Sequence, residues 1–239
     1  MIYASWGVTF YFAWFSIISN MTDVDNMRKT VGFNVVTGAI YTVPIFFFCS
    51  GFLQTYAFMQ KVEANEINLG KYYFRKIFRY MPLNIASGLL LVKILPYAGS
   101  GPVWNNFATL VEPCNDKFWT NVLWINNLYP KAYDDRCMPW TWFAPCYIQL
   151  SLLLPIFVMI YNSFENKKII GGIYTMIAIV SIIINYMFVY SKNLGGTLVM
   201  NDDFYAEVFS SPIFQFPSFF YGILNCLIYL RYKNNRLSN

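Results

Sequence analysis

The chain contains no histidine among its 239 residues. Histidine is the usual general base near neutral pH and the commonest metal ligand. Chemistry of either kind must therefore fall to other residues or be absent. Charge is scarce as well. Only 12% of residues are Asp, Glu, Lys or Arg, against roughly 25% in soluble domains, so a surface that faces water all round is excluded. No basic stretch precedes the first apolar block, Met1 to Ile18. A cleavable signal peptide would carry one, so the block reads as a retained helix. Internal repeats and low-complexity linkers are also missing, which leaves one membrane domain over 1–239.

What is abundant is apolar and aromatic, 57% and 21% of the chain. These residues fall in long blocks, and a membrane span needs roughly 20 apolar residues to cross about 30 Å of hydrocarbon. The pattern predicts an all-α integral membrane protein with about six spans, near residues 2–18, 39–59, 84–99, 142–161, 169–189 and 212–230. The third is short and interrupted by Lys93 and Pro96, so a re-entrant or tilted segment is the alternative there.

Charge placement gives an independent check. Six crossings put both termini on one side with segments 60–83 and 162–168. That side holds Lys61, Lys71, Arg75, Lys76, Arg79, Lys167, Lys168, Arg231, Lys233 and Arg236, against the acids Glu63, Glu66 and Glu165. The other side holds fewer basic residues, Arg28, Lys29, Lys117, Lys131, Arg136 and Lys192. It carries most of the acids: Asp23, Asp25, Glu112, Asp116, Asp134, Asp135, Asp202, Asp203 and Glu207. Lysine and arginine favour the cytoplasmic or matrix side, which is where both termini are expected. The net charge of +5 then reflects topology and lipid contact, and no nucleic-acid partner is expected.

Residues 100–141 form the largest non-spanning segment and carry Trp104, Phe107, Phe118, Trp119, Trp124, Tyr129, Tyr133 and Trp140. Such residues favour the membrane interface, so the segment reads as an interfacial lid or as a cap that gates substrate. Cys49, Cys146 and Cys226 lie in spans, where cysteine behaves as a small apolar residue. Cys114 and Cys137 share the outer loop, on the side expected to be oxidising. A disulfide between them is expected, worth about 3 kcal/mol; two free thiols are the alternative.

Several motifs occur in a telling order. They are Phe46-Phe47-Phe48-Cys49-Ser50-Gly51-Phe52-Leu53, Tyr73-Phe74-Arg75-Lys76-Ile77-Phe78-Arg79-Tyr80-Met81-Pro82, Gly101-Pro102-Val103-Trp104, Trp119-Thr120-Asn121-Val122-Leu123-Trp124-Ile125-Asn126-Asn127 and Cys137-Met138-Pro139-Trp140-Thr141-Trp142, followed by Gln149. This series resembles the membrane acyltransferase-3 superfamily, in its nose-resistant-to-fluoxetine-like branch, over about residues 1–160. The remainder follows by hydropathy.

The resemblance implies transfer of an acyl group from a donor such as acyl-CoA to a hydroxyl. A histidine in the first span would act as base, and a basic pair near the third span would hold the anionic donor. Gly7-Val8-Thr9-Phe10-Tyr11-Phe12 aligns with the family's G-H-T-Y-x-F, so Val8 stands where the histidine belongs. Lys76 replaces the first arginine of the basic pair, Arg79 keeps the second, and Tyr147 takes the place of an aspartate. Family members commonly have around ten spans, more than are found here. A valine cannot accept a proton. The expectation is therefore a catalytically inactive acyltransferase-like protein, a structural or lipid-binding subunit of a larger membrane complex. Lys76, Arg79 and Gln149 would bind lipid or acyl donor. A bound phospholipid is expected, with no metal or cofactor. The setting would be a respiratory complex of the mitochondrial inner membrane, or an endomembrane. The alternative is an active O-acyltransferase acting on a lipid, sterol or sugar hydroxyl with Glu207, Asp202 or Asp203 as base. A channel or transporter is disfavoured, since Lys93 is the one ionisable residue placed within a predicted span.

Overall fold

The computed structural model describes residues 42–101, 104, 111–192 and 204–237. The chain divides into two compact units, 1–46 and 47–239. Of the first, only the opening turn of one helix is described, and the remaining elements belong to the second. The expected first span and Val8 lie outside the described residues, as do Asp202 and Asp203.

Every regular element among the described residues is helical. We number them α1 (Thr42–Glu63), α2 (Leu69–Phe78), α3 (Met81–Leu89), α4 (Cys114–Val122), α5 (Phe143–Ser163), α6 (Lys167–Ser191) and α7 (Pro212–Leu237). Five stretches are long and apolar enough to cross a membrane: Thr42–Glu63, Leu69–Ile94, Pro139–Ser163, Lys167–Ser191 and Pro212–Asn234. They match five of the six expected spans, with one shift. The third was expected from 84, but its helix begins at Leu69. The chain there bends at Arg79 and Tyr80 and restarts with Pro82 in the first turn of α3, where a missing N–H costs nothing. Basic residues that sequence had placed in the inner loop thus sit on the first turns of the span. Beyond Leu89 the helix widens into a π turn, Leu90–Ile94, and ends in a 3-10 turn, Leu95–Tyr97.

The core lies between α1, α5 and α7, where Phe47, Leu154, Val158, Phe219, Phe220 and Ile223 are almost fully buried. α1 and α7 touch backbone to backbone through a reciprocal pair of glycines. A Cβ on Gly51 would lie 2.1 Å from the Phe219 carbonyl oxygen, and one on Gly222 would lie 2.2 Å from that of Phe48. Small residues permit such approach in membranes, where packing rather than water exclusion joins helices. α6 lies at the periphery, with Ile179, Ile182, Ile183 and Met187 exposed, as a lipid-facing helix requires.

Polar side chains close the helix ends. Asn68 caps α2 by accepting from Lys71 N–H at 2.9 Å. Asn166 caps α6 by accepting from the N–H groups of Lys168 and Ile169. The Lys167 ammonium donates to the carbonyls of Tyr161, Asn162 and Phe164 at 2.6–2.9 Å, which satisfies the last turn of α5.

Candidate functional site

The motif positions gather at two places. The first joins α1, α2 and α5. The Lys76 ammonium, half-buried, donates to the Gln54 amide oxygen and to the Tyr147 hydroxyl, the latter at 3.4 Å. It also lies 5.7 Å from the centre of the Tyr72 ring and 5.3 Å from that of Tyr147, within cation–π range. The Tyr80 ring meets Tyr147 edge-on at 6.1 Å. Arg79 holds its guanidinium 5.6 Å from the Tyr80 ring centre and is otherwise exposed.

Proline explains how α2 is held there. Pro155 lies inside α5 and has no N–H to give the carbonyl four residues back. That carbonyl, Ser151, instead accepts from the Tyr72 hydroxyl at 2.9 Å. Within a bilayer a freed backbone group must find such a partner.

The electrostatics of this cluster are one-sided. Among the described residues no carboxylate lies within ion-pair distance of Lys76 or Arg79; the ion pairs found are Lys117–Asp135 at 3.9 Å and Lys192–Glu207 at 3.3 Å. Every partner of Lys76 among them is neutral. A cation taken out of water without a counter-charge is costly, and this applies to the half-buried Lys76; Arg79 is exposed. A proton acceptor of carboxylate or imidazole type is not among the described groups around it. Glu207, one alternative base, is an exposed partner of Lys192.

The second place is the outer loop. Cys114 and Cys137 form a disulfide, both fully buried, as the sequence suggested. Gln149 belongs here and faces away from Lys76. Its amide donates to the Trp124 carbonyl at 2.8 Å and to Asn127 Oδ1 at 2.9 Å, while Asn127 Nδ2 donates back to Gln149 Oε1 at 3.1 Å. Asn127 also donates to the Ser210 carbonyl at 3.3 Å. Arg136, 3% exposed, donates to the carbonyls of Pro130, Lys131 and Ala206 and to Ser210 Oγ, at 2.8–3.2 Å. It ties the loop to the turn preceding α7. Sequence reasoning counted Arg136 only among the outer-side charges, quoted Asn127 within a motif without a role, and overlooked Gln54, Tyr72 and Ser210. Gln54 carried a usable signal, as an amide within an otherwise apolar run.

These features define a class: a helical integral membrane protein with a disulfide-stapled polar cap and a half-buried lysine held between its helices. The chain belongs to the acyltransferase-3 family, whose model, described as "Acyltransferase domain", matches residues 4–239. It is similar to "Nose resistant to fluoxetine protein 6" of Caenorhabditis elegans, with 24% identity over 242 aligned residues. That alignment covers 91% of this chain and 29% of the relative, so the chain spans less than a third of the protein it matches. No solved structure matches it.

Proposed function

We propose that this chain is an acyltransferase-3 membrane domain that binds an anionic lipid or acyl donor without transferring its acyl group, and that it serves as a structural or lipid-binding subunit of a larger membrane complex. The observation that carries the reading is the exchange at the Lys76 cluster. Where the family pattern has an aspartate, the Tyr147 hydroxyl takes its place and hydrogen-bonds Lys76. The cations keep their charge and lose the carboxylate that would have offset it. An anionic headgroup can supply that charge, with Arg79 offering a bidentate fork and the tyrosine rings flanking the ammonium. Val8 at the position of the family's histidine, and the lack of histidine anywhere in the chain, support the silent half of the reading. A transfer to a hydroxyl needs a group to take its proton.

The test combines native mass spectrometry with an activity assay on protein extracted in mild detergent. The wild-type chain is expected to retain phosphate-bearing lipid and to co-purify with other membrane subunits. Lys76→Gln should lower retention of anionic lipid several-fold and leave neutral lipid unaffected. Release of free CoA from acyl-CoA, coupled to acylation of a lipid, sterol or sugar hydroxyl, would sink the proposal.

A further inference from the structure

We infer that the cap segment 114–129 is re-entrant, seated in the bilayer leaflet at the Phe143 end of α5, with Trp119, Leu123, Leu128 and Tyr129 against lipid hydrocarbon. The sequence alone reads this segment as an interfacial lid or a cap that gates substrate. Two registers against different spans support a deeper seat. Along the third span, α4 runs antiparallel to α3. The Lys93 ammonium donates to Asn115 Oδ1 at 3.3 Å, a Cβ on Gly88 would meet the Phe118 ring at 2.5 Å, and Asn84 Nδ2 donates to the Asn121 carbonyl at 2.9 Å. α4 therefore descends from the level of Lys93 to that of Asn84. Between Asn115 and Asn121 this is a drop of about 9 Å at 1.5 Å per residue.

The fourth span gives a second measure of depth. The helical stretch long and apolar enough to form it starts at Pro139. The turn after α4 bonds to Thr141, through Asn126 at 2.8 Å, and to Gln149, through Trp124 and Asn127. Gln149 lies about 15 Å below Pro139 on the same helical rise. The turn thus occupies levels from the rim of the span down towards its middle.

The side-chain pattern is the reverse of a water-facing cap. Thr120, Asn121, Asn126 and Asn127 are at most 2% exposed, while Trp119, Leu123, Leu128 and Tyr129 are 47–59% exposed. Two of the exposed rings, Trp119 and Tyr129, lie 6.0 Å apart in one patch. Irregular backbone survives at membrane depth where its polar groups are satisfied within the protein. Here the N–H groups of Trp124, Ile125, Leu128 and Tyr129 donate to carbonyls of Thr120, Asn121 and Ile125, and the Trp124 carbonyl accepts from Gln149; Asn126 Oδ1 and the Trp124 indole N–H are buried without a partner among the described residues. In water the same patch would leave an indole, a phenol and two leucines unburied. The occupant that fits it is hydrocarbon, continuous with that around the spans.

Spin labelling in lipid nanodiscs tests the placement. Leu123→Cys and Leu128→Cys are labelled separately in the full chain carrying Cys49→Ser, with Asp135→Cys as a water-facing reference. At 123 and 128 the label should be relaxed several-fold more by oxygen, which partitions into hydrocarbon, than by a water-soluble nickel chelate. At 135 the order should reverse. Nickel accessibility at 123 and 128 equal to that at 135 would overturn the inference, and so would exclusion of both reagents, which means a protein cover. Neither outcome depends on whether Lys76 binds an anion.

Discussion

Tyr72 acts at the scale of a single hydrogen bond. Its hydroxyl occupies the Ser151 carbonyl that Pro155 leaves open. Tyr72→Phe keeps the ring contact with Phe58 and removes only the donor. The expected cost is about 0.5–1.5 kcal/mol, read as a lower unfolding temperature in detergent; an unchanged temperature would mean that the carbonyl finds another partner. Sequence showed both residues but not their pairing, because a hydrogen bond across 79 positions leaves no periodic trace. Gln149 illustrates the same limit. It stands two residues from Tyr147, and a helix turns about 200° over that interval. The two motif residues therefore face opposite ways, Tyr147 towards α2 and Gln149 towards the cap. A shared motif gave no sign of that division.

Elements depend on close contact and on covalent closure. Gly51→Val or Gly222→Val would drive a side chain into the opposing backbone. Since backbone cannot swing aside as a long side chain can, α1 and α7 must separate. A loss of about 1–3 kcal/mol or more is expected, seen as low yield of folded protein and a depressed unfolding temperature. A wild-type unfolding curve would show that the helices are not so close. The cap has its own test. The Cys114–Cys137 bond joins residues 23 apart, and its removal by Cys114→Ser with Cys137→Ser should cost about 3 kcal/mol. Limited proteolysis should then cut within 115–136, a segment expected to resist in the oxidised protein. Gly51 and both cysteines were legible beforehand, since small residues in apolar runs and paired loop cysteines carry strong local meaning. The bend at Arg79 and Tyr80 was not, because amphipathic basic helix and inner loop look alike in composition.

For the whole molecule the open quantity is topology. The lysine and arginine bias calls for both termini on the more basic side. Protease protection of tags fused at each end, in sealed membrane vesicles, should place both tags in one compartment. Opposite compartments would mean an odd number of crossings.

Composition and hydropathy by themselves determined that this is a helical membrane protein and where most of its spans run, and the ordered motifs determined which family it belongs to. These are properties of local runs and short patterns, and the bilayer reads the apolar runs without reference to tertiary contacts. The tertiary structure decided which motif residues meet. It set Lys76 among neutral partners, sent Gln149 to the cap and turned the cap's amides inward. Those outcomes depend on helix rotation and register, which packing of distant side chains fixes and a linear pattern does not carry.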